Sequence, residues 1–229
     1  MPSENGTTSR TRVRRNPKRG AYDRATIDAI LDEAPICHLG IVGDGGQPFV
    51  LPTLHARLGD ELLLHGSAAS RMMKTAGGGA PVCVTVTLVD GMVLARSAFH
   101  HSMNYRSVVL LGQATLVEGD EAKTRALEAF TEKLIPGRWP EVRWPSRQEL
   151  KGTHVVSLPI DEASAKVRTG GPVDDEEDYA LGVWAGVVPL ALTAGAPIPD
   201  PNGRPQTPLP EHVQTYTQRH GPVQAQATA

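Results

Sequence analysis

Glu61-Leu62-Leu63-Leu64-His65-Gly66-Ser67-Ala68-Ala69-Ser70-Arg71-Met72-Met73-Lys74 joins a short apolar strand to the first turn of a helix. At the junction a Gly-Ser turn, two small residues, Ser70 and Arg71 gather backbone N–H groups, hydroxyls and a guanidinium at one helix N-terminus. Such an end suits a phosphate. Unpaired amides and the positive end of the helix dipole favour an anion, and arginine can grip two of its oxygens. An ordinary N-cap serine, Ser67 or Ser70, beside a solvated arginine reads the same residues equally well.

On either side of this stretch the pattern is one of strands. Asp23 can cap a helix carrying Ile27, Ile30, Leu31 and Ala34 at helical spacing. Strands follow at 36–42 and 48–57, separated by Asp44-Gly45-Gly46, and Leu58-Gly59-Asp60 turns the chain into 61–65. Downstream, 81–89 is a β-run, Asp90-Gly91 signals a hairpin, and 92–97 returns. A longer strand spans 105–117, with Gly112 marking a bulge or close approach. Residues 120–134 have one apolar helical face, Ser146 and Glu149 form a capping box, and 153–160 and 163–169 are the last strands. Seven or so strands, mostly joined as hairpins with helices between them, make a mainly β, α+β domain. One antiparallel barrel fits this order better than βαβ units.

Composition sets the boundaries. Residues 1–20 form a basic arm, read as a flexible solvated extension that docks partly on a neighbour rather than as a nucleic-acid or anionic-surface arm, and 21–190 form the folded domain. Residues 191–229 are rich in Pro, Thr, Gln and Ala and poor in large apolar side chains, which predicts a disordered tail. A net charge of −2 and 4% aromatic residues do not describe a nucleic-acid surface. Cys37 and Cys83 sit in apolar runs and read as buried free thiols, and no apolar run reaches the length of a membrane span. A cytoplasmic location is the expectation.

Several residues invite a chemical reading. Pro52, beside Thr53, forfeits a ladder hydrogen bond and so marks a sheet edge or a backbone partner taken by a ligand. Adjacent His100 and His101 point to opposite faces if extended and make poor co-ligands, so no metal site is expected. Arg106 opens a strand and is a second anion candidate. Lys166 and Arg168 share one strand face, which is a solvated face or a cationic one. Trp184 is a core residue or a stacking platform for a planar ligand. Nucleophile elbow, Walker loop, dinucleotide fingerprint and HExxH are all missing, so a bound cofactor would have to supply any chemistry.

The order of Phe49-Val50-Leu51-Pro52-Thr53, His65-Gly66-Ser67 to Ser70-Arg71, Tyr105-Arg106-Ser107 and Ala163-Ser164-Ala165-Lys166-Val167-Arg168-Thr169-Gly170 resembles the pyridoxamine 5′-phosphate oxidase-like, FMN-binding split-barrel proteins. The nearest branch is that of flavin-nucleotide-binding proteins, which includes the nitroimidazole-resistance reductases. The resemblance implies a six-stranded antiparallel split barrel that dimerises with itself and holds FMN in two interface clefts. It places the flavin against Val50, Leu51, Pro52 and Thr53, against His65, Gly66 and Ser67, and its phosphate on Ser70 and Arg71. Met72 stands where the oxidases have a phosphate-binding lysine, leaving Lys74 or Arg106 to compensate. Ser107 falls near a later flavin position, and Lys166, Arg168 and Trp184 complete the candidate set.

The implied activity is transfer of electrons from a reduced nicotinamide to a small acceptor. The Arg-x-His ending that binds substrate in true pyridoxamine phosphate oxidases has no counterpart here, so oxidation of vitamin B6 is not expected. The alternative is a non-catalytic protein binding flavin, deazaflavin or haem. No protein acid or base is assigned, His65 being the nearest candidate.

Overall fold

The computed structural model describes residues 8–203 and 207–222. Side-chain alternation builds its first half. Strand β2 (Cys37–Val42) buries Cys37, Leu39 and Ile41 while His38 and Val42 face out. Next in the sheet, β6 (Gly78–Leu94) and then β7 (Ser102–Leu116) bury Val82, Val84, Val86, Val108 and Leu110. Antiparallel register aligns these as Leu39↔Val84↔Leu110 and Val86↔Val108, so one face becomes continuous core. Strand β3 (Pro48–Thr53) closes this side as an edge, paired only with β2 among the described residues. Pro52 is thus accommodated at an edge, as its missing donor requires.

The second half has core on both faces. Here β7 hands over to β8 (Thr153–Pro159), then to β5 (Glu61–Ser67) and β4 (His55–Leu58). Leu62, Leu63 and Leu64 are all buried, because Leu62 and Leu64 face the barrel interior while Leu63 faces α3 (Asp120–Leu134). That double covering explains an apolar run without alternation. Strand β9 (Glu162–Arg168) pairs with β7 and with the short β1 (Gly20–Ala21), and β10 (Gly186–Pro189) pairs with β6. The result is an antiparallel split barrel of the α+β class.

Helices complete the core. In α1 (Arg24–Glu33), Asp23 Oδ1 accepts from Thr26 N at 2.8 Å, and Ile27, Ile30 and Leu31 point inward. Helix α2 (Arg71–Gly77) buries Met73 and Ala76 between β5 and β6. Met73 comes so close to β5 that a Cβ on Gly66 would lie 2.9 Å from its Cγ, so glycine is required there. In α4 (Arg147–Gly152), Ser146 and Glu149 form the expected capping box.

The structure departs from the sequence reading at three places. Asp90-Gly91 is no hairpin: β6 runs through it with a register irregularity, and the chain reverses only after Leu94. Strand β10 packs over that point, with Leu190 N bonded to Asp90 O at 3.1 Å, and Asp90 pairs with Arg106 at 2.7 Å. Of the basic arm, residues 8–20 lie against the barrel, with Thr11 buried and Arg10 paired to Glu162 on β9. Residues 1–7 lie outside the described residues. The tail read as disordered carries α5 (Glu211–His220), tied back by Ala194 N to His220 O at 2.7 Å. The thiols are free, Cys37 buried and Cys83 only half-buried. No helix among the described residues is long and apolar enough to cross a membrane.

Candidate functional site

The first candidate region is the corner between β3, β5 and α2. The Ser67-Ala68-Ala69 turn is held by Ala68 N to Gly152 O (2.9 Å), Ala69 N to Ser67 Oγ (3.2 Å) and Ser70 N to Ser67 O (2.9 Å). Ser70 is the N-cap of α2, yet its hydroxyl makes no capping bond, which leaves first-turn amides without a side-chain acceptor. Arg71 is exposed, with its guanidinium carbon 4.3 Å from the Phe49 ring centroid, and so reaches back over β3. Lys74 lies one turn further along α2, also exposed. On β3, Val50 is 67% exposed and Pro52 is exposed, while Leu51 and Thr53 are half-buried. Edge strand, uncapped turn and two cations therefore meet at one corner, a setting that fits the phosphate and the apolar ring of a flavin.

His65 lies on β5 two residues before its end but turns toward α3. Its ring centroid is 4.3 Å from that of Phe130, its Nδ1 is buried without a partner, and burial lowers its pKa. The neutral imidazole is favoured there.

The remaining predicted residues are placed elsewhere. Ser107 and Lys166 are opposite each other on β7 and β9, with Ser107 Oγ donating to Lys166 O at 3.2 Å. Arg168 is buried; it donates to Asn104 Oδ1 and to the carbonyls of Gly170 and Gly171 (3.3 and 3.1 Å). Arg106 is held by Glu33 and Asp90, which raise its pKa. Neither arginine shares the corner with Arg71 within one chain. Trp184 is 66% exposed, with its ring against Gly186.

A second region was not legible in the sequence. A cavity of about 1250 Å³ lies between the barrel and the C-terminal segment. Ile36, Leu54, Phe130 and Leu134 supply apolar walls on the barrel side, and Leu190 and Leu192 do so from the strap that follows β10. Helix α5 roofs it with His212, Thr215, Tyr216 and Arg219, which recur at i, i+3, i+4 and i+7 and therefore share one face. That inward face is polar and aromatic, so its composition suits a ligand better than an apolar core.

The floor of the cavity holds an unusual basic pair. Lys133 Nζ donates to Leu31 O at 2.7 Å, and His55 Nε2 lies 2.8 Å from the same carbonyl and 3.0 Å from Lys133 Nζ. His55 is 1% exposed, and its Nδ1 has no partner. Burial, then the neighbouring Lys133 charge, push its pKa down to about 4. Burial also brings Lys133 down to about 8, while the Asp32 carboxylate opposes the shift. Buried Cys37 is pushed up to about 12 and stays a thiol. Among the described residues no three His, Cys, Asp or Glu side chains gather to hold a bare metal ion.

The profile of the pyridoxamine 5′-phosphate oxidase family matches residues 23–167. Among solved structures, the flavocytochrome Anf3 from Azotobacter vinelandii is 44% identical over 91% of this chain and 97% of its own, with a TM-score of 0.86. The FAD and haem binding protein from Mycobacterium smegmatis is 41% identical over 87% of this chain and 97% of its own, at a TM-score of 0.83. A candidate 5-nitroimidazole antibiotic resistance protein from Bacteroides thetaiotaomicron shares the fold at 24% identity, covering 65% of this chain and 86% of its own (TM-score 0.54). No curated protein gives a match.

Proposed function

The chain belongs to the pyridoxamine 5′-phosphate oxidase family, and from that premise we propose that it is a flavin-dependent redox protein that also binds haem. The observation that carries the reading is the pair of relatives at 44% and 41% identity, one a flavocytochrome and the other a FAD and haem binding protein. The corner at Ser70 and Arg71 is the flavin end of this reading. FMN and FAD both offer a phosphate there. FMN is the form the oxidase resemblance implies, and FAD is the form in the mycobacterial relative's name.

When bound, a flavin would supply the redox chemistry, electron transfer from a reduced nicotinamide to a small acceptor. The chain's own residues bind and shield it. Arg71 and Lys74 would neutralise the phosphate, the Ser70 hydroxyl would hydrogen-bond to it, and the exposed Val50 and Pro52 of β3 would cover apolar ring surface. Two copies would complete the site. Val50, Val109 and the half-buried Leu111 and Cys83 lie on the sheet face opposite the core, where a second chain can cover them. In such a homodimer Ser107, Lys166 and Trp184 of one chain would approach the corner of the other.

The test is the absorption spectrum of the purified full-length protein, with mass identification of what heat releases. Flavin bands with a Soret band support the reading, and the released mass separates FMN from FAD. A colourless protein that rejects added flavin and hemin overturns it. A coloured protein that oxidises no nicotinamide moves the reading to a non-catalytic flavin and haem carrier. Light scattering of flavin-loaded protein at micromolar concentration checks the dimer, and a monomer there removes that part.

A further inference from the structure

We infer that the cavity under the C-terminal strap is the haem pocket and that His212 is the iron's axial ligand. His212 can play this part only if haem binds at all, as proposed above. Three observations carry the assignment. First, His212 Nε2 is buried without any partner, although its side chain lines the cavity. An imidazole nitrogen that is buried with neither donor nor acceptor beside it is open to a metal.

Second, His212 Nδ1 lies 3.5 Å from Glu141 Oε1. A carboxylate beside one ring nitrogen favours the proton there and leaves Nε2 as the free base, the arrangement that supports metal-bound histidines. The ring is also seated. Glu132 accepts from Gly137 N at 2.6 Å and Trp139 N at 2.7 Å, fixing the turn after α3. Gly137 has φ +87°, and a Cβ built on it would stand 3.3 Å from His212 Cβ.

Third, the cavity's chemistry matches a porphyrin rather than a bare ion. A haem brings four nitrogens of its own and needs only one protein ligand, whereas no ligand cluster for an ion exists among the described residues. Apolar walls such as Leu134 and Leu192 suit the macrocycle, and Lys133 and Arg219 are placed to meet its propionates. His220 is the weaker ligand candidate: it is exposed, and its ring packs on Tyr216 at 4.4 Å.

The experiment is a hemin titration of the full-length protein, read by absorption and electron paramagnetic resonance, on the parent, His212→Ala, His220→Ala and Glu141→Gln. Flavin binding and thermal midpoint verify that each variant is folded. His212→Ala is expected to lose hemin affinity tenfold or more and to change the Soret position, with added imidazole restoring the parent spectrum. His220→Ala is expected to leave both unchanged. Glu141 is a positioning residue. Its Gln variant is expected to weaken hemin binding about tenfold and to raise the potential of the haem that remains bound, which a merely structural role would not do. If His212→Ala keeps the parent's spectrum and affinity, the assignment is wrong while haem binding stands. If the parent binds no hemin, the proposed function loses its haem and the assignment falls with it.

Discussion

The β3–β5–α2 corner and the strapped cavity differ in how they are assembled. The corner is nearly contiguous: Ser67, Ser70, Arg71 and Lys74 fall within eight residues, with only β3 added from elsewhere. The cavity draws on α1, β4, α3, the turn after it, the strap and α5, which together span most of the chain. Yet the two are neighbours, because Phe130 lines the cavity and touches His65 on β5, two residues before Ser67 of the corner. A continuous segment can carry a phosphate grip through its own turn geometry. A pocket for a large planar group needs walls that only tertiary packing provides.

The strongest way to break the distinction is to remove what the two regions share. Leu158 is fully buried and fills the space over Gly112, where an added Cβ would meet its Cδ1 at 2.8 Å. Leu158→Ala should cost about 2–5 kcal/mol, and urea denaturation should show flavin and hemin binding failing together.

Acid should separate the regions. In the fold His55 stays neutral until about pH 4, whereas its ordinary value is 6.5. Between those values the unfolded chain binds the extra proton, so stability falls as pH drops from 6.5 to 4. The loss from this group is up to about 3 kcal/mol. Urea midpoints at pH 7, 5.5 and 4.5 should decline in the parent and decline less in His55→Gln. An equal decline in both would remove His55 from the account.

Arg71→Ala tests the corner alone. A charge-assisted phosphate contact is worth roughly 1.5–3 kcal/mol, so flavin affinity should drop about tenfold or more while hemin affinity is unchanged. Fluorescence titration reads the first and absorption the second. The smallest effect is expected at the cavity's seat. Gly137→Ala places a side chain at φ +87° against His212, costing about 1–2 kcal/mol, and should perturb hemin binding without touching flavin.

Much of the barrel was legible because its signals are local. The alternation of Cys37, Leu39 and Ile41, the Asp23 cap and the Ser146–Glu149 box each act within a few residues. Asp90-Gly91 misled for the opposite reason: β10 and Arg106, both distant in sequence, hold that segment extended. Helix α5 carries no apolar stripe, because its inward face is His212, Thr215, Tyr216 and Arg219. Such a face has no apolar periodicity to mark it in the sequence, yet this helix closes the cavity. Arg106 and Arg168 looked like ligand cations because their partners Glu33, Asp90 and Asn104 lie far along the chain.

The most direct test of two neighbouring but separate cofactor regions is a double titration of one full-length sample with flavin and then hemin, followed by absorption. The account predicts flavin bands and a Soret band that saturate independently, one of each per chain. A hemin addition that displaces the flavin, or a protein that takes up neither, would contradict it.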